Sequence, residues 1–258
     1  MSIPSTYAIS AYDLPLEVQR HLRLSPVYLA QWAQSDACDG SSAAQLILGH
    51  LLLNGHGVAV DHAAAYRAFL DAARDESADA MNMVGRCHER GWGVAVDFSE
   101  AAKWYRRAAD RSHTWAQFNL GSLFLLGQGM AADPQGALPL FLRSARGGNA
   151  KAMNMLGRYR EEGWVGRIKL GSARRWYWRA AVRGCYRGQF HFGRFLSDEG
   201  KVAKATSWFQ ASLENAPHEF TGEIAPFLAR HVDPRIRSVG LAALERLKAA
   251  APLERAAE

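Results

Sequence analysis

Residues 80–109 read AMNMVGRCHERGWGVAVDFSEAAKWYRRAA and decide the fold. From Ala80 to Arg90, small and apolar residues fall three and four apart, the spacing of one helical face. GWGVAVD then breaks the pattern with Gly91 and Gly93. Asp97 opens a second helical stretch, with Glu100 three residues on in a capping-box pattern. That stretch closes on Ala108 and Ala109, behind Trp104 and Tyr105. The unit is a helix, a glycine turn and a second helix.

The same unit recurs along the chain. Glycine stands at Gly49, Gly85, Gly121, Gly157 and Gly193, each 36 residues after the last. Five residues earlier come Ala44, Ala80, Ala116, Ala152 and Gly188. Ala65, Ala101, Ala137 and Ala173 keep the same phase, and Phe69, Tyr105, Phe141 and Tyr177 follow four later. Asp133 with Pro134 is a cap followed by proline at the first helical position. One helix pair cannot bury its apolar face alone, so such units stack.

The pattern A-x3-L/V-G-x5-G-x-G-V-x2-D-x3-A-x3-Y/F-x2-A-A resembles the Sel1-like repeat, a relative of the tetratricopeptide repeat. Ala80 to Trp115 carries nearly all of it. The resemblance implies an all-α fold, a right-handed α-solenoid of antiparallel helix pairs, working in protein–protein contact or complex assembly. The later units depart from the pattern. Repeat 3 has Met130-Ala131 for Val94-Ala95, and repeat 4 has Val165 at the second loop glycine and Lys169 at the aspartate. Repeat 5 reaches Trp208-Phe209 four residues early, through a short SDEG turn.

The expected organisation is a leading helical cap with a degenerate half-repeat over residues 1–43, five repeats over 44–219, and capping helices with a fraying tail over 220–258. Trp32, in phase with Trp104 and Trp176, puts the second helix of the half-repeat at Pro26 to Ala37. Helices are expected at Glu223 to His231 and from Asp233-Pro234 to about Ala250, the latter with Ile236, Val239, Ala243 and Leu247 on one face. Trp104 and Trp176 are expected to fill the space between helices.

The net charge of +6 and pI near 9.4 favour acidic partners without choosing among them. Cys38, Cys87 and Cys185 form neither a disulfide framework nor a CxxC pair, which suits a reducing compartment, and each reads as a small buried apolar residue. MSIPSTYAISAYDLPLEVQR lacks the basic start and apolar run of a secretory signal. With no run near the ~18–20 apolar residues of a membrane span, a cytoplasmic protein that avoids membranes is the expectation.

No catalytic set emerges. The turns GHG (55–57), GWG (91–93) and GQG (127–129) lack the preceding strand and the lysine and hydroxyl of a phosphate loop. The histidines include no HExxH, and neighbours such as Cys87-His88 do not share a helical face, so neither metal nor cofactor is expected. There is no GxSxG and no serine three residues before a lysine. Glu161-Glu162 read as a solvated face.

The arginines carry the functional reading. The residue after each phase glycine is His50, Arg86, Ser122, Arg158 or Arg194. Asn82, Arg86 and Arg90 share one helical face, as do Lys151, Asn154 and Arg158. The resemblance implies that these first helices line a concave groove, where related domains clamp a peptide carboxylate with such residues. Arginine forks suit acidic groups because they bind them bidentately. Candidate partner-binding residues are Asn82, Arg86, Arg90, Asn154, Arg158, Arg187 and Arg194. A solvated wall with charges paired across repeats stands beside that reading.

The function expected is a non-catalytic scaffold or adaptor for a protein or peptide. An accessory subunit of an enzyme complex is the second reading. A nucleic-acid binder using Arg174, Arg175, Arg179 and Arg183 is the third, and is disfavoured because Trp176 and Tyr177 beside them are in repeat phase.

Overall fold

Each helix pair is built by two local devices. The first is capping. Ser41, Ser77, His113 and Asn149 accept a backbone N–H from the first turn of the helix that follows, at 2.9–3.3 Å. The second is the turn. Gly91, at φ 73°, closes its helix in the left-handed region and gives its N–H to the Cys87 carbonyl. Gly93 lies so close to the backbone of His62 and Ala63 that no side chain could fit there.

A backbone bond then returns the chain. The amides of Asp61, Asp97 and Asp133 donate to the carbonyls of Leu52, His88 and Phe124 at 3.0, 2.9 and 2.7 Å. Lys169 does the same to Arg160 at 2.7 Å. The turn therefore survives the loss of the aspartate, although Lys169 provides no side-chain cap. Asp97 caps Ser99 and Glu100 as expected, but the capping box is only half made. The Asp97 amide is spent on His88, and the Glu100 carboxylate holds Lys103 instead.

The computed structural model describes residues 26–254. Thirteen helices and no strands occur among the described residues: α1 (Pro26–Cys38), α2 (Ser42–Asn54), α3 (His62–Arg74), α4 (Ala78–Arg90), α5 (Phe98–Asp110), α6 (Thr114–Leu126), α7 (Pro134–Arg146), α8 (Ala150–Glu162), α9 (Leu170–Val182), α10 (Tyr186–Asp198), α11 (Val202–Glu214), α12 (His218–Ala229) and α13 (Pro234–Glu254). Residues 1–25 of the expected cap, and 255–258 of the tail expected to fray, lie outside the described residues. The chain divides into two units, the first ending at Leu140 and the second beginning at Phe141, with α7 contributing to both.

In the N-terminal unit, α2 packs on α3 and α4 on α5 as antiparallel pairs. The core between them holds Phe69 and Tyr105, both fully buried, with Ala65, Ala72, Ala101 and Ala108 around them. Burying one such ring contributes about 1.5–3 kcal/mol. A methyl at Gly85 would stand 2.7 Å from the Tyr105 ring, so the glycine sets how closely the two helices approach. Ahead of the first pair, α1 packs Leu29, Ala30 and Ala33 against Ile47 and Leu51, with Trp32 partly buried beside them. Gly57 meets the start of α1 as Gly93 meets the start of α3.

In the C-terminal unit, α8 packs on α9 and α10 on α11, and α13 returns against both α11 and α12. Gly193 faces the buried Phe209 ring as Gly85 faces Tyr105. Ile236, Val239 and Ala243 of α13 are buried, and Leu247 packs beside them. The helix expected at Glu223 begins earlier, at His218, and the last helix runs past Ala250 to Glu254.

Two expectations about packing need correcting. Trp104 and Trp176 are only partly buried, because the phase aromatics Tyr105 and Tyr177 take the core. Each tryptophan instead carries an arginine on its face, Arg107 at 4.3 Å and Arg179 at 4.9 Å. Cys87 and Cys185 are buried, but Cys38 at the end of α1 is exposed.

Candidate protein-interaction surface

In the N-terminal unit the phase row contributes His50, Arg86 and Ser122 from α2, α4 and α6. The Arg86 guanidinium lies 5.1 Å from the centre of the Trp92 ring, with Nη1 3.6 Å from Met83 Sδ. A cation on an indole face gains about 0.5–2 kcal/mol, which holds the fork in place. Asn82, one turn earlier, is buried, and its Oδ1 accepts from Asn119 Nδ2 at 3.1 Å. It pins neighbouring first helices together. His50 is buried with Nδ1 unpartnered, and burial, helped by Arg86, lowers its pKa to about 4. It is therefore neutral at pH 7. Arg90 is exposed and lies 3.5 Å from Glu89, whose carboxylate accepts from Tyr105 Oη at 2.5 Å.

In the C-terminal unit the equivalent residues are more heavily engaged. Arg158 sits 4.7 Å from the Trp164 ring and pairs with Glu162 at 3.0 Å. Asn154 is buried with Oδ1 unpartnered. Arg194 binds Glu161 at 2.6 Å and also contacts His191 Nδ1 at 3.0 Å. Arg187 is exposed and lies 5.5 and 5.1 Å from the rings of Tyr186 and Phe220. Lys151 is exposed.

The expectation of a solvated Glu161 is wrong. Its side chain is only 19% exposed and accepts from Tyr177 Oη at 2.6 Å as well as from Arg194. Burial alone would raise its pKa, but those two donors hold it below the usual carboxylate range. His191 stacks on Tyr177 at 4.6 Å. Desolvation, together with Arg194, Arg158 and Arg187, lowers its pKa to about 4.

Sequence reasoning missed Trp92 and Trp164 as arginine platforms, and Glu89 and Glu161 as tyrosine acceptors. A signal was present. Glutamate accompanies tyrosine (Glu89 with Tyr105, Glu161 with Tyr177), whereas leucine accompanies phenylalanine (Leu53 with Phe69, Leu125 with Phe141). Elsewhere, Arg174 is committed to Glu199 at 2.8 Å, while Arg175, Arg179 and Arg183 are exposed. No group of three or more metal-binding side chains comes together among the described residues, and no described helix is long and apolar enough to cross a membrane.

A family model of the Sel1 repeat matches residues 42–70, 78–113, 116–149 and 150–184. The chain belongs to the Sel1 repeat family. Sel1 repeats generally serve as protein–protein interaction scaffolds rather than catalysts. The α10–α11 pair lies beyond the last matched Sel1 segment yet keeps the glycine-on-ring contact.

Solved structures show the same fold. A Sel1 repeat protein from Oxalobacter formigenes is 22% identical, with a TM-score of 0.77 over 92% of this chain and 100% of its own. A protective antigen of uropathogenic Escherichia coli with an SLR fold is 24% identical, with a TM-score of 0.69 over 92% of this chain. The present chain spans 53% of that antigen, about half its length. An immunity protein from Pseudomonas aeruginosa is 14% identical, with a TM-score of 0.53 over 80% of this chain and 81% of its own. No curated protein matches the sequence.

Proposed function

We propose that this Sel1 repeat chain is a non-catalytic cytoplasmic adaptor that holds a partner protein or peptide bearing acidic groups. The partner lies along the first helices that carry Asn82, Arg86, Arg90, Asn154, Arg158, Arg187 and Arg194; Asn82 and Asn154 are buried, and the arginines meet the partner. One observation carries the reading. In each unit an arginine on the same repeat phase is fixed on an indole face, Arg86 on Trp92 and Arg158 on Trp164. Arg107 on Trp104 and Arg179 on Trp176 have the same kind of platform on the second helices, so what marks Arg86 and Arg158 is their place on the first helices, one turn after Asn82 and Asn154. Held guanidinium groups lose less freedom on binding, which favours recognition. Residues 44–219 form the binding array in this reading, with 1–43 and 220–258 closing its ends. Three free cysteines, none in a CxxC pair, support a reducing compartment.

The test is affinity capture from the native cell with identification by mass spectrometry. The double variant R86E/R158E should lose the partners that the wild-type chain retains, with far-UV circular dichroism unchanged. Undiminished capture by the folded double variant would refute the assignment.

A further inference from the structure

The two platform arginines differ in what else they hold. Arg158 is closed by Glu162, one turn onward on its own helix, at 3.0 Å. The residue at that place in the earlier repeat is Arg90, so α4 has no equivalent of Glu162. Among the described residues Arg86 makes no ion pair. The carboxylates near it are otherwise engaged. Asp79 pairs with His113 at 3.1 Å, and Glu89 accepts from Tyr105 and faces Arg90. Its neighbours along the phase row bring no negative charge: His50 is neutral, and Ser122 donates to the Phe118 carbonyl at 3.0 Å.

The Trp92 face and the Met83 sulfur hold the Arg86 guanidinium without neutralising it, so its charge is left to pair with an incoming anion. We propose that Arg86 is the anion-recognition point of the N-terminal unit, taking a carboxylate of an acidic peptide, and that Arg158 is masked by Glu162. This rests on the adaptor reading and assigns its chemistry. A carboxylate matches the fork of one arginine bidentately. A nucleic-acid strand fits less well. The Trp92 face that could stack a base is covered by Arg86.

The experiment uses the full chain and fluorescence anisotropy with three labelled probes. These are an amidated oligoglutamate, an oligoglutamine with a free C-terminus, and an amidated oligoglutamine. Binding of the first locates recognition in side-chain carboxylates, binding of the second in a C-terminal one, and the third should not bind. R86Q should weaken the bound probe about tenfold to a hundredfold, the range of a charge-assisted hydrogen bond. R158Q and the exposed-charge control R175Q should each change it by less than about threefold. E162Q, which unmasks Arg158, should strengthen binding or add a second site. R86K, which keeps the charge but loses the fork, should still lose severalfold; it replaces R86Q as the deciding variant if R86Q alters helicity.

Equal loss in R86Q and R175Q, equal loss in R86Q and R158Q, or no binding of either carboxylate probe overturns the proposal. The two readings fail separately. If R86Q leaves the probes bound while R86E/R158E loses its cellular partner, the carboxylate assignment falls and the adaptor stands. If Arg86 governs the probes while that double variant keeps every partner, the site stands and the adaptor assignment falls.

Discussion

Replacing Gly193 with alanine isolates the contact that spaces a helix pair. In the middle of an exposed helix the same change stabilises by about 0.5–1 kcal/mol, because glycine loses more backbone freedom on folding. At Gly193 the new methyl would stand 2.8 and 2.9 Å from two atoms of the Phe209 ring and 3.2 Å from a third. Ordinary contact begins near 3.4 Å, so ring and helix must part by roughly 0.6 Å. Phe209 is 1% exposed and is itself packed against the neighbouring ring of Phe190 at 5.8 Å, which leaves little room to retreat. Overpacking of this kind costs about 1–3 kcal/mol, so the net change should be a loss of about 1–2 kcal/mol. Gly222, on α12 of the same unit, has nothing within 4 Å of its would-be methyl and is the control. G222A should raise the thermal midpoint by a few degrees and G193A should lower it by about 2–8 °C. Thermal and urea unfolding followed by circular dichroism would measure both. A G193A chain as stable as wild type would show that the glycine does not set the approach of α10 to α11.

Tyr177→Phe removes the hydroxyl that Glu161 accepts while Arg194 remains, and should cost about 1–2 kcal/mol in the same unfolding experiment. His50 and His191 predict a pH dependence. Each has a folded pKa near 4, below the unfolded value of 6.5, so the unfolded chain binds the protons first as pH falls. Their contribution should be complete above about pH 6.5–7 and decline toward pH 4, with a slope of up to about 1.4 kcal/mol per pH unit for each histidine. H50Q/H191Q should flatten that segment of the stability profile, and an unchanged profile would refute it. A thiol reagent should label Cys38 at once in the native chain. Cys87 and Cys185 should react only on unfolding, since burial pushes the Cys87 thiol up to about 12 and raises that of Cys185 as well.

The fold was legible because its causes are local and recur. Gly85, Tyr105, Gly91 and Asp97 each perform one task within a single helix pair, and copies 36 residues apart announce the task by position. Where a task belonged to the backbone, the sequence misled. Lys169 looks like a broken turn, yet its amide makes the same bond as the aspartates before it. The tryptophans misled for a related reason. Periodicity shows that Trp104 and Tyr105 both matter, but only packing decides that Tyr105 enters the core while Trp104 stays at its edge under Arg107.

The polar row was legible in place but not in state. Helical spacing put Asn82 and Arg86 on one face, and Asn154 and Arg158 likewise. It did not show that both asparagines are buried, or that Asn82 is already held by Asn119. Above all, Arg86 and Arg158 look equivalent in sequence because the residues that distinguish them, Arg90 and Glu162, lie a turn further on. Arg158 has a glutamate at i+4 and pairs with it, whereas Arg86 has there a second arginine, which itself faces Glu89. In such a repeat protein, recognition is written where copies diverge. On the proposal made above, the turn at which α4 carries Arg90 and α8 carries Glu162 selects the partner, and E162Q tests whether that one residue is enough to open the second copy.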